Sequence, residues 1–297
     1  MQSFNPSEVS VAKFHGLMLG TIGPRPIAFA STIDENGNPN LAPFSFFNVF
    51  SANPPILIFS PARSGIDNST KHTYQNVKVH KEVVINIVDY AMVQQTSLAS
   101  TAYPKGVNEF EKAGFTMQPS DLVKPFRVKE SPAQFECIVK DIIELGTEGG
   151  AGNLVICEVV KLHIRKELLN GDMHVDQEKI DLVGRMGGPY YCRAHGSALL
   201  RITKPISKKG IGVDQIPADI KNSIILTGND LGQLGNVEEL PNETDVNEYR
   251  LTELSQYFVM YEDDPNTLES TLHTKAKELI AGGKLHEAWM TLLSFNN

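Results

Sequence analysis

A chain of 297 residues, 41% hydrophobic and 21% charged, can bury one sizeable core or two small ones and is too apolar for a disordered polymer. A net charge of −8 and a pI near 5.5 argue against a broad nucleic-acid-binding face, while leaving room for a local basic pocket. No run of about 18 apolar residues offers a membrane span. The charge is uneven: residues 1–195 carry −2 and residues 196–297 carry −6. The first part is therefore the better host for an anionic ligand.

The opening MQSFNPSEVSVAKFHG lacks the basic and apolar segments of a signal peptide. Cys137, Cys157 and Cys192 form no C-x-x-C pair, and two of them sit in apolar runs. Buried free thiols in a reducing cytoplasm are the expectation. Residues 27–33 (IAFASTI) read as a strand running into Asn36-Gly37, a hairpin turn signal. The next strand begins near Asn40 and continues through Pro43 to Asn48; Pro54-Pro55 marks a turn, and residues 56–60 (ILIFS) a buried strand.

Residues 69–81 predict a helix opened by a capping residue. A strand over 83–88 and a short helix over 90–100 follow, then a long irregular connection over 101–131. Two long strands, 133–145 and 154–165, flank the loop 146–152, and Asn170-Gly171 marks another turn. Many strands with tight turns and few helices point to a barrel. After His195 the character changes. Residues 204–212 look like a linker, and 213–247 are rich in Asn, Asp, Gly and Pro. Leu268, Leu272, Ala276, Leu279 and Ile280, then Leu285, Ala288, Trp289 and Leu292, recur at helical spacing about Gly282-Gly283. These stripes predict a packed helical hairpin.

Several motifs fail. The glycine-rich loop 146–152 joins two strands, whereas a phosphate loop needs a strand before it and a helix after it. Gly210-Ile211-Gly212 lacks a third glycine, and Gly282-Gly283-Lys284 lacks the upstream one. The eight histidines show no metal spacing, and no G-x-S-x-G elbow occurs.

What remains is a set of segments in register: Gly23-Pro24-Arg25-Pro26; residues 40–49 (NLAPFSFFNV) followed by Asn53-Pro54-Pro55; residues 60–65 (SPARSG) through 71–76 (KHTYQN); residues 106–111 (GVNEFE); Glu130-Ser131-Pro132; and residues 183–188 (VGRMGG). Together they resemble the flavin reductase-like family of FMN-binding split barrels over roughly residues 20–195. His72 and Asn108 stand where that family usually has Asp.

The resemblance implies a mainly β fold with helices. Residues 1–195 would form an FMN-binding split β-barrel, and residues 196–297 a C-terminal extension, loop-rich at first and ending in the helical hairpin. It implies FMN as cofactor, NADH or NADPH as electron donor, a homodimer, and a small-molecule or flavoprotein electron acceptor. No metal and no catalytic side chain is called for, because the flavin carries the chemistry.

A flavin ring needs a flat, partly apolar slot with polar groups at its rim. Phe44, Phe46 and Phe47 are candidates for its walls, with filling of the barrel core as the competing role for Phe44 and Phe47. Ser45 belongs to the same loop, and Asn40 and Asn48 are candidates for the rim or ribityl chain. The phosphate wants cations, hydroxyls and helix N-terminal amides; the resemblance implies Arg63, Lys71 and Thr73, at the family's phosphate-binding strand end and helix start, with Ser60, Ser69 and Asn76 as second choices. Arg185 and Arg25 either approach the flavin or brace the barrel. The leading expectation is an NAD(P)H-dependent flavin reductase. The alternatives are a flavoredoxin-like electron carrier reduced by a protein partner and a non-catalytic flavin-binding protein.

Overall fold

The computed structural model describes residues 1–203 and 209–296. The chain divides into two compact units, Met1–Leu200 and Arg201–Asn297. Five residues of the expected linker, 204–208, lie outside the described residues.

The first unit is organised by one antiparallel sheet. It opens with helix α1 (Val11–Thr21), capped by Ser10 Oγ on Lys13 N, which buries none of its residues. Phe14, Leu17 and Leu19 are its half-buried residues, and this helix is not anticipated from sequence. Then come β1 (Ala28–Ile33), β2 (Pro39–Phe44), β3 (Phe47–Ala52), β4 (Pro55–Phe59), α2 (His72–His80) and β5 (Glu82–Asn86). Next are α3 (Val93–Leu98), α4 (Glu109–Ala113), β6 (Met117–Gln118), β7 (Arg127–Val128), β8 (Ala133–Glu144), β9 (Asn153–Ile164), β10 (Val183–Arg185) and β11 (Tyr191–Arg193). Seven strands form the main sheet in the order β2-β1-β5-β8-β9-β4-β3, with every pairing antiparallel.

The stretch expected as one strand from Asn40 to Asn48 is two. The chain turns at Ser45-Phe46, so β2 and β3, adjacent in sequence, occupy opposite edges of the sheet. Phe47 then pairs with Phe59 on β4 rather than prolonging β2. The expected irregular connection 101–131 also holds α4. Asn108 Oδ1 accepts Phe110 N at its start, and Gly114, at φ +73°, ends it in the left-handed conformation.

Two apolar layers hold the unit together. One collects Phe29, Leu41, Phe110, Phe115 and Val128. The other collects Phe59, Ile85, Val155 and the buried thiols Cys137 and Cys157. Cys192 is only half-buried.

The last strand pair is fixed by close approach. A Cβ on Gly184 would lie 2.6 Å from Pro24 Cβ and 3.1 Å from Cys192 Sγ, and one on Gly187 would lie 2.8 Å from Gly20 Cα. Only glycine lets the VGRMGG segment sit against the start of β1 and the end of α1.

The second unit's regular elements, among the described residues, are all helical and include α5 (Ala218–Lys221), α6 (Gly228–Leu234), α7 (Glu243–Tyr249), α8 (Ser255–Met260), α9 (Pro265–Ala281) and α10 (Leu285–Leu293). The predicted helical hairpin is α9 and α10. The stretch 213–247, expected to be loop-rich, holds three helices. Its polar residues are caps: Thr227 and Asp230 form a capping box on α6, and Asn242 caps α7. Trp289, Leu292, Ile280, Ala276 and Leu234 make the core, and Trp289 Nε1 donates to Leu234 O at 3.2 Å.

Candidate functional site

In the first unit, a cleft of about 240 Å³ opens between β2, the start of α2 and the segment after α3. Asn40, Ala42, Pro43 and Phe44 form one wall, residues 69–73 a second and residues 99–103 a third, with Glu109 also facing it.

The α2 wall is built to receive an anion. Lys71 is the N-cap residue of α2 and makes no side-chain cap bond. The first helical bond runs from Gln75 N to Lys71 O, 3.2 Å. The amides of His72, Thr73 and Tyr74 therefore have no partner within the helix, and the helix dipole adds positive potential there. Among the described residues, the exposed Lys71 ammonium has no carboxylate in ion-pair reach.

Thr73 is positioned from beneath. Asn40 Nδ2 donates to Thr73 Oγ1 at 2.9 Å and to Thr32 Oγ1 at 3.2 Å, while Asn76 Nδ2 donates to Thr32 Oγ1 at 3.0 Å. Because Thr73 Oγ1 accepts from Asn40, its own hydrogen stays available to another acceptor. These four buried side chains tie the start of α2 to the β1–β2 hairpin.

Of the candidates from sequence, Asn40, Phe44, Lys71, Thr73 and Ser69 are brought together in this cleft. The others lie outside its walls. Asn76 supports it through Thr32. Ser60 Oγ accepts Asn153 N at 3.0 Å, and Arg63 donates to Asn68, from Nε to Oδ1 at 2.7 Å and from Nη2 to the carbonyl at 2.9 Å. Phe47 packs on the core layer around Phe59. Phe44 also touches Phe59, with centroids 5.5 Å apart, so it serves core and cleft together.

Phe46 is exposed and meets His15 edge-on at 5.9 Å. Asn48 is exposed, and its Oδ1 accepts Val49 N. Ser45 Oγ accepts from Arg25 Nε at 3.4 Å. Arg25 braces the unit: Nη1 donates to Leu19 O and Ile22 O, and Nη2 to Met186 O. Arg185 stacks over Tyr191 at 4.6 Å and donates to Tyr190 O.

Sequence reading missed Glu109 as a cleft residue. It is 5% exposed, and its Oε2 accepts Leu41 N at 3.0 Å. Alternate residues of a strand point their N–H groups to the same edge. On β2 these are Pro39, Leu41 and Pro43, and proline has no N–H to offer. Glu109 therefore satisfies the one donor on that side of the edge strand. Burial pushes its carboxyl above the ordinary range, against the Leu41 N–H and His72, which favour the charged form. The only sequence signal was its place in GVNEFE.

Asp121, Glu136 and His163 bring three donor atoms within 4.8 Å. The two carboxylates are already committed. Glu136 accepts the N–H groups of Asp121, Leu122 and Val123 and lies 2.6 Å from His163 Nε2, and Asp121 pairs with Lys161 and Arg127. This is a latch holding the 121–123 loop on the sheet.

A seven-stranded antiparallel sheet, a cleft beside its edge strand and a glycine-tight terminal hairpin define a split-barrel flavoprotein fold. The chain belongs to the flavin reductase like domain family, whose pattern it matches over residues 21–180. An uncharacterised protein of Aquifex aeolicus is 37% identical over 186 residues, 63% of this chain and 92% of that one. Nitrilotriacetate monooxygenase component B from Bacillus cereus superposes with a TM-score of 0.63 at 29% identity, covering 69% of this chain and 98% of that one. The 2-nitrobenzoate 2-nitroreductase of Pseudomonas fluorescens also gives 0.63, at 27% identity, covering 71% of this chain and all of that one.

Proposed function

We propose that the chain is an FMN-dependent oxidoreductase, an NAD(P)H:flavin reductase whose cofactor lies in the cleft of the first unit. The observation that carries this reading is the meeting of the uncapped start of α2, the unpaired Lys71 and the free Thr73 hydroxyl in one cleft walled by Pro43 and Phe44. These groups fit a ribityl phosphate tail beside a planar ring. Backbone amides, a cation and a hydroxyl suit a phosphate dianion, and the Pro43 and Phe44 side chains suit a ring face. When bound, FMN would supply a hydride acceptor for NADH or NADPH.

The chain's own residues would do the holding. Lys71, Thr73 and the amides of residues 72–74 would neutralise the phosphate, Asn40 would fix Thr73, and Phe44 would shield one side of the slot from water. A homodimer is part of the same proposal. Val49 and Phe50 on the edge strand β3 are 64% and 63% exposed, an apolar face that a second copy would cover.

The test is a visible absorption spectrum of the purified chain supplied with FMN, before and after anaerobic addition of NADH or NADPH. Flavin bands that bleach support the reductase and identify the nucleotide. Bands that persist refute direct reduction and turn the reading to a carrier served by a protein partner. No bound flavin refutes the whole assignment. Sedimentation velocity reads the dimer.

A further inference from the structure

Glu109 is hard to explain as a strand-edge cap alone. A glutamine oxygen would accept Leu41 N just as well, without the cost of desolvating a charge. Among the described residues, the carboxyl's hydrogen-bond partners are the N–H of Leu41 and that of Glu109 itself, and no Lys or Arg pairs with it. It is nonetheless the sole carboxylate among the cleft's wall residues, and Lys71 is the sole permanent cation. The cleft is therefore polarised, with an acceptor of anions on α2 and an acceptor of hydrogen-bond donors at Glu109.

We propose that Glu109 is a specificity-determining residue that binds the hydroxyl groups of the flavin's ribityl chain, so that the cleft selects polyol-bearing flavins over bare isoalloxazine rings. The inference rests on the flavin reading above. The chemistry narrows the ligand group at Glu109. A second phosphate or a carboxylate would be repelled there. A cationic group would be repelled by Lys71 and the α2 terminus. A neutral hydroxyl donor meets neither penalty and forms a charge-assisted hydrogen bond with the carboxylate. Ligand entry also removes the remaining water from this acid, so a partner for it is then required.

The experiment measures dissociation constants of wild type and Glu109→Gln for FMN, riboflavin and lumiflavin, the last having a methyl group in place of the ribityl chain, by flavin fluorescence. The expected result is that E109Q weakens FMN and riboflavin by about ten-fold, the difference between a charged and a neutral acceptor, and leaves lumiflavin unchanged. Equal riboflavin affinity in the two proteins overturns the proposal. So does an equal loss for all three ligands, which would mark general damage to the cleft. If the variant does not fold, wild type decides alone. Riboflavin must bind at least about ten-fold more tightly than lumiflavin, and equal affinities overturn the proposal. A wild type that binds no flavin overturns the flavin reading itself, a result distinct from the other two.

Discussion

Replacing Lys71 by methionine keeps most of the side chain's bulk and removes its charge, so it isolates the contribution of that charge to phosphate binding. Two unit charges 4 Å apart interact by about 1 kcal/mol in water and about 4 kcal/mol at an effective dielectric of 20. Lys71 is exposed, which places it near the first limit, where exposed ion pairs keep about 0.2–1 kcal/mol. A phosphate monoester carries about −1.5 to −2 charges near pH 7, which brings the expected loss to about 1 kcal/mol, or about five-fold in Kd. Titrating the FMN-free protein with FMN and with riboflavin, at low and high salt, measures this directly. FMN should bind about five-fold more weakly to K71M at low salt, riboflavin should be unaffected, and the difference should shrink at high salt as the charges are screened. If K71M weakens FMN and riboflavin alike, the phosphate does not sit at the start of α2 and the orientation argued for the cleft is wrong.

Gly149→Ala places a Cβ 2.9 Å from Ser64 O, so the loop leading to residues 69–73 must shift; FMN affinity should fall while the melting temperature changes little, as titration and calorimetry would read. Gly184→Ala drives a Cβ to 2.6 Å from Pro24, and overpacking of this kind costs about 1–3 kcal/mol, measurable by denaturant unfolding. Burial raises the Glu136 carboxyl, but the Asp121 and Leu122 amides and His163 outweigh it and hold it below the ordinary range. Its contribution is then complete above the unfolded-state pKa and is lost as pH falls through the lowered folded value. Glu136→Gln should cost about 2 kcal/mol near neutral pH, the scale of hydrogen bonds to a charged acceptor, and should flatten the acid limb of stability against pH.

The barrel was legible because its strands are bounded by local chemistry. Asn36-Gly37 turns β1 into β2, and Pro54-Pro55 turns β3 into β4, so each boundary lies within a few residues of its cause. The bend at Ser45-Phe46 has no such marker. Residues 43–48 are apolar on both sides of it, and only the pairing of Phe47 with Phe59 shows that the chain has left the first edge for the other. The helices of the second unit were hidden for the opposite reason. Thr227, Asp230 and Asn242 read as loop residues, and the same hydrogen-bonding ability that favours turns also caps helices. The family resemblance pointed to Lys71 and Thr73 at a helix start, and both line the cleft. Glu109 was not foreseeable, since its meaning comes from burial and from a strand edge on which Pro39 and Pro43 offer no hydrogen.

The glycine-rich loop 146–152 ties these levels together. It follows β8 and precedes β9, so it lacks the helix a phosphate loop requires. It still bears on the site by support. Arg63 N donates to Ala151 O, Gly150 N donates to Arg63 O, and Asn68 Nδ2 donates to Thr147 O. Gly149 and Gly152 admit Ser64 O and Ser60 Oγ to within 2.9 Å of where a Cβ would stand. Arg63 in turn clamps Asn68, which sits in the left-handed region at φ +59° immediately before residues 69–73. The guanidinium expected from sequence to meet the phosphate thus has a supporting role one step back. It holds the backbone that presents Lys71 and the α2 amides through Nε and Nη2.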